Sequence, residues 1–192
     1  MIHGAAGTFD FNLPLTGTPG IECRRGGGNG NYSVVFNFAG DVMNCGTTPS
    51  AGGSVVAGPN ANQCTVNLTG VASGHTISVE LDNVTDIPGG MGNVSVSIGV
   101  LIGDTNKDGF VDAVDVSQTK SQAGNSISQS NFREDVNVDG FIDAVDVSLV
   151  KSKSGSVLSS SSSSSPAPSP ARMPASKSSP ISKAKPRKLT RN

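Results

Sequence analysis

Tryptophan is absent from this 192-residue chain, tyrosine occurs once, and aromatic residues amount to 4%. That scarcity weighs against a deep, aromatic-lined substrate pocket. Hydrophobic residues at 35% are thin material for one large core. No apolar run approaches the roughly 18 residues of a spanning helix, so no membrane insertion is expected. The start of the chain has neither the basic stretch nor the apolar stretch of a secretory leader, which suits a Met1 that lies inside a longer protein. Acidic residues are missing altogether after residue 155. The net charge of −1 therefore conceals three unlike segments: −4 over 1–103, −4 over 104–155 and +7 over 156–192.

Twenty of the 24 glycines fall within residues 1–103, where short stretches alternate with a period of two. Phe9, Phe11 and Leu13 share one face of a candidate strand. The same pattern runs through Tyr32, Val34, Phe36 and Phe38, and again through Cys64, Val66 and Leu68. It recurs in Ile77, Val79 and Leu81, and in Val94, Val96, Ile98 and Val100, with a weaker strand at 54–57. Turn-formers such as Gly58-Pro59-Asn60 and Pro88-Gly89-Gly90 separate these runs, so residues 1–101 read as an antiparallel, immunoglobulin-like β-sandwich. The acids of this module are scattered and His3 and His75 are isolated. Glu22 and Glu80 therefore read as solvated charges rather than as a glycosidase pair. Flat aromatic platforms for a glycan are lacking, and the glycine run at 26–30 has no lysine to make it a phosphate loop. The odd cysteine count (Cys23, Cys45, Cys64) leaves one over whatever pairs. A single Cys45–Cys64 disulfide is slightly preferred, and three reduced thiols remain the alternative.

Residues 104–155 carry the specific signal. DTNKDGFVDAVD at 104–115 recurs as DVNVDGFIDAVD at 135–146, an offset of 31, and 14 of 21 positions are identical over 104–124 against 135–155. A repeat this close marks a duplicated supersecondary unit. Each copy sets oxygen side chains at loop positions 1, 3, 5, 9 and 12 around a glycine at position 6. A hard divalent cation needs about six to eight oxygens, and a short loop wraps them round it only through a sharp glycine turn. The expected ligands of the first loop are Asp104, Asn106, Asp108, the Phe110 carbonyl, Asp112 and Asp115. Those of the second are Asp135, Asn137, Asp139, the Phe141 carbonyl, Asp143 and Asp146. Asp112 and Asp143 would act through a water. Calcium is favoured over magnesium, which prefers a tight octahedron that retains waters. Two Ca2+ sites are thus expected, with binding coupled to folding.

These tandem loops, with Asp rather than Glu at position 12, Gly103 ahead of the first aspartate and Lys120 and Lys151 beyond each loop, resemble the type I dockerins over about residues 102–155. The resemblance implies a calcium-folded, non-catalytic module that plugs into a cohesin-type domain, often within extracellular or cell-surface polysaccharide degradation. It carries the family's recognition positions onto Ala113, Val114, Ala144 and Val145, with Lys120, Ser121, Lys151 and Ser152 nearby. Near-identical helices over 112–122 and 143–153 would let either copy present the same face. Helix 112–122 departs from the family in holding Gln118 and Thr119 where leucines are usual, while the second helix has Leu149 and Val150. A short linking helix capped by Ser128 or Ser130 is expected through Phe132 and Arg133. The stretch HGAAGTFDFNLPLTGTPGIECR also resembles a β module that precedes such dockerins in long bacterial exported proteins. Two alternatives stand beside docking: a calcium-stiffened structural end module, and the C-terminal piece of a glycan-active enzyme.

Residues 156–192 hold seven consecutive serines at 159–165, six of the eleven prolines and seven bases, and read as a disordered tail. Without aromatic interleaving or a folded basic face, no nucleic-acid partner is expected.

Overall fold

The alternating stretches of the first hundred residues become strands because each has one apolar face to bury. The computed structural model describes residues 1–50 and 52–159. It contains β1 (Gly20–Glu22), β2 (Tyr32–Asn37), β3 (Val42–Asn44), β4 (Gly53–Ala57), β5 (Gln63–Leu68), β6 (His75–Asp86) and β7 (Met91–Val100). Two helices follow, α1 (Ala113–Gln122) and α2 (Ala144–Lys153). One sheet has the order β1-β7-β6-β3 and the other β2-β5-β4.

Register places like with like. Val34 lies opposite Val66 and Phe36 opposite Cys64 in one sheet; Val79 lies opposite Val96 and Ile77 opposite Ile98 in the other. Their buried faces share one cluster that includes Tyr32, Val34, Phe36, Val66 and Leu68 from one sheet and Val79, Leu81, Val96 and Ile98 from the other. A one-residue slip would turn either set out to water, so burial fixes the pairing. The long β6–β7 ladder shifts register between Leu81 and Val84, where Asn83 takes a left-handed backbone (φ 59°) that its short amide tolerates.

Three expectations need correction. The sheets are not wholly antiparallel, because β1 runs parallel to β7 (Gly20 opposite Ile98). Residues 9–13 make no strand. Phe9, Phe11 and Leu13 still turn inward on alternate positions, but they reach the interior without a ladder, and Phe9 stacks on Phe132 with ring centres 5.8 Å apart. The link at 128–134 is a series of turns rather than a helix, held by the Asn131 side chain, which accepts the Ser128 N–H at 2.7 Å.

A second cluster (Ile21, Leu101, Val111, Val136, Val150) joins β1 to the repeat region, and the described residues make one compact unit. Leu101 and Gly103 donate their N–H groups to Glu22 and Cys23, so the chain runs on from β7 alongside β1 before entering the first loop. Residues 156–159, which composition assigns to the tail, pair instead with folded segments. Val111 N–H donates to Ser156, Leu158 N–H to Gly109 and Ser159 N–H to Gly74. The remainder of the tail, residues 160–192, lies outside the described residues.

Cys45 and Cys64 form a disulfide that joins the end of β3 in one sheet to β5 in the other, and Cys23 is buried and unpaired. The bridge closes a sequence separation of 19 residues. Replacing both cysteines by alanine should lower the urea-unfolding free energy by about 3 kcal/mol, mainly through a less restricted unfolded chain. Equilibrium unfolding of the two proteins measures this, and an unchanged midpoint would contradict it.

Candidate metal centre

Each twelve-residue loop folds around its own first and last aspartates. In the first loop Asp104 Oδ1 accepts the N–H groups of Lys107 (2.7 Å) and Asp108 (3.2 Å), and Oδ2 accepts that of Gly109 (3.0 Å). Asp115 reaches back across the loop. Its Oδ1 accepts from Thr105 and Asn106 N–H, and its Oδ2 from Asp112 N–H at 2.9 Å. The second loop repeats the pattern. Asp135 accepts from Asp139 and Gly140, and Asp146 from Asn137 and Asp143. The glycine turns at position 6 have φ 87° at Gly109 and 99° at Gly140. Position 4 is left-handed too, at Lys107 (φ 68°) and Val138 (φ 58°), and the β-branched valine is strained there.

Position 9 has a second duty. Asp112 and Asp143 are the N-caps of α1 and α2, accepting the Val114 N–H at 2.6 Å and the Val145 N–H at 2.7 Å. Capping fixes where each helix starts, and so puts Asp115 and Asp146 in the first turn, where the helix dipole favours a carboxylate. The polar departures in α1 are satisfied in place. Thr119, the counterpart of Val150, is buried with its hydroxyl donating to the Asp115 carbonyl (2.9 Å), and Gln118 Nε2 donates to Glu134 Oε1 (2.6 Å).

Asp104, Asp115, Asp135 and Asp146 are wholly buried, whereas Asp108, Asp112, Asp139 and Asp143 reach the surface and Asn106 and Asn137 are half-buried. Burial pushes the Asp104 and Asp146 carboxyls above the ordinary carboxylate range, against the N–H groups that hold them, and neighbouring aspartates add to the rise. Glu134 is raised by burial as well, and its Oε2 has no hydrogen-bond partner among the described residues. Among the described residues no three His, Cys, Asp or Glu side chains converge into a ready cage. The carboxylates lie along the loop, engaged with its backbone. The donor set is nevertheless all oxygen, carboxylate, amide and carbonyl, which suits a hard cation such as calcium and not a thiolate- or imidazole-seeking metal. The Cys23 thiol, pushed up to about 12 by burial, is inert beside it.

All eight residues expected to meet a partner (Ala113, Val114, Lys120, Ser121, Ala144, Val145, Lys151, Ser152) are exposed. Ala113, Lys120, Ala144 and Lys151 line an open groove between α1 and α2, together with Phe110 and Val157, while the other four lie outside its lining. Val114 and Val145 stand 55% and 57% exposed on equivalent turns. The Phe110 and Phe141 rings, named in the sequence only for their carbonyls, are exposed apolar surface as well.

Several buried polar residues around the loops escaped sequence reasoning. Glu22 is no solvated charge; it lies buried in a two-pronged ion pair with Arg24, at 2.8 and 2.7 Å. Arg133 donates to the carbonyls of Thr105, Asp104 and Ile21 at 3.0–3.1 Å, tying the first loop to β1. His3 reaches Asp135. Nothing in the local pattern announces the contacts of His3 and Arg133, whose partners lie up to 132 positions away.

The raised carboxyls set a sign for pH dependence. A carboxyl whose folded pKa exceeds its unfolded value of about 3.9 makes stability fall as pH rises between the two values. In chelator, lowering the pH from neutrality toward that window should therefore raise the contribution of Asp104 and Asp146 to stability. Calcium held by these carboxylates would favour their ionised forms, and the same change should then lower it. Urea midpoints at pH 7 and pH 5, with calcium and with chelator, measure the difference in slope. Equal slopes in the two conditions would contradict it.

No helix among the described residues is long and apolar enough to cross a membrane. Comparison with curated proteins and with solved structures returned no match. The family model of the Dockerin type I domain matches residues 102–153, the span that holds both loops and both helices, and so establishes for that segment the family its loops resemble.

Proposed function

We propose that this chain is a non-catalytic attachment module, which binds two calcium ions in its twin loops and docks through α1 and α2 onto a cohesin-type domain. The first ion would be held by Asp104, Asn106, Asp108, the Phe110 carbonyl, Asp115 and, through water, Asp112. The second would be held by Asp135, Asn137, Asp139, the Phe141 carbonyl, Asp146 and Asp143. Calcium would supply the positive charge that four buried carboxylates lack, and would hold the start of each helix to its loop. We read the two sheets as an immunoglobulin-like carrier, and the setting as an extracellular or cell-surface protein of polysaccharide breakdown. The observation that carries this reading is the pairing of a type I dockerin match with helices whose eight candidate contact residues all face outward.

Equivalent turns of α1 and α2 present the same alanine-valine pair, so either helix would lead the contact and two docking orientations follow. A second reading, a calcium-stabilised structural end module, draws support from the contacts that bind both loops into the β region, such as Arg133 on Ile21.

An immobilised type I cohesin domain distinguishes the two. The full chain should bind it in calcium and release it in chelator. Val114→Asp or Val145→Asp alone should weaken binding by no more than about tenfold, and the double variant by about a hundredfold or more. Failure of a panel of type I cohesins to bind the calcium-loaded chain would favour the structural module.

A further inference from the structure

The second loop is held from outside the segment that builds it. His3 is wholly buried between Phe9 and Phe132, whose rings meet its imidazole edge-on at 5.4 and 6.2 Å. Its Nδ1 lies 2.8 Å from Asp135 Oδ2 and its Nε2 lies 2.8 Å from Arg24 Nη1. A guanidinium can only donate, so Nε2 accepts, and the ring proton sits on Nδ1, facing the carboxylate. Arg24 is itself fixed, by both oxygens of Glu22 and by the Phe9 carbonyl (2.8 Å). A chain of buried contacts thus runs from β1 through Arg24 and His3 to the first aspartate of the second loop.

The backbone makes the same junction independently. A Cβ on Gly4 would overlap the Asp139 carbonyl, and one on Gly140 would come within 2.9 Å of the His3 carbonyl. The two glycines let the N-terminal turn lie directly on the glycine turn of the loop. Among the described residues the first loop has no such partner: the Asp104 carboxylate accepts only from its own loop, and what reaches that loop from outside, Arg133, Gly155, Ser156 and Leu158, bonds its backbone.

We infer that His3 is a positioning residue for the second calcium loop, through which residues 1–10 make the affinity of that loop, and not of the first, depend on the β region. This rests on the calcium reading above. The imidazole N–H adds a second donor to Asp135 Oδ2, beside that of Gly140, and fixes the way the carboxylate faces. Outer partners of this kind are typically worth about 10- to 100-fold in metal affinity.

Calcium titration of the full chain by calorimetry, in two silenced backgrounds, tests it. With Asp108→Ala disabling the first loop, His3→Ala should weaken the remaining site by about 10- to 100-fold. His3→Gln, which keeps an N–H donor, should fall between that and the parent. With Asp139→Ala disabling the second loop, neither change at His3 should move the remaining affinity by more than about twofold, the margin expected of a residue with no shared partner. Should His3→Ala fail to fold by circular dichroism, His3→Gln carries the same comparison. Equal loss in both backgrounds, or none in either, overturns the inference. If the unaltered chain binds no calcium the docking reading itself falls, a result distinct from calcium binding that is indifferent to His3.

Discussion

Four aspartates, Asp104, Asp115, Asp135 and Asp146, are removed from water at the first and last positions of two short loops, and the repeat region is organised around that cost. Carboxylates in a medium of low effective dielectric repel one another, and burial pushes those of Asp104 and Asp146 above the ordinary carboxylate range. Backbone N–H groups offset part of this. Every loop turn aims donors at the position-1 or position-12 carboxylate, and those hydrogen bonds are what give the loops their shape. Donors alone leave the charge uncompensated, and a divalent cation among the oxygens would remove it. A bound metal would thereby be linked to the fold, and the fold to the display of the helices, because Asp112 and Asp143 belong at once to the loops and to the helix caps.

The β region and the repeat region are built onto each other at both ends of the described chain. Residues 1–10 lie over the second loop, and residues 155–159 bond the first loop and reach β6 through Ser159 and Gly74. Arg133 bridges the middle, with three carbonyls from β1 and the first loop. Buried, fully engaged guanidinium groups are costly to disrupt, since removing a partner strands polar atoms away from water. The helices, by contrast, have little in front of them among the described residues. Their facing groove and the exposed valines are the surface left over once the loops are secured.

Legibility from sequence tracked the range of the forces involved. The loops were readable because their ligand spacing is local and repeated: two copies of one twelve-residue pattern leave little to chance. The helices were legible through the resemblance of these loops to a known family, and the capping role of position 9 emerged only from the structure. Strands β2, β5, β6 and β7 were readable from alternation, but β1 was not, being three residues long and paired parallel to a strand nearly eighty residues away. Residues 9–13 show the limit from the other side. Their alternation is real and their burial follows it, yet no ladder forms, because period two reports which side chains turn inward and not what the backbone bonds. The buried polar junction was illegible for a third reason. His3, Glu22, Arg24 and Arg133 are ordinary residues until tertiary structure brings them together.

Two all-oxygen loops that take calcium should make the repeat region depend on it. The most direct measurement is a calorimetric calcium titration of the full chain, with thermal unfolding followed in calcium and in chelator. Two ions should bind per chain and the melting temperature should rise with free calcium, as linkage requires of a ligand bound only by the folded state. A flat isotherm, or binding that leaves the melting temperature unmoved, would contradict it.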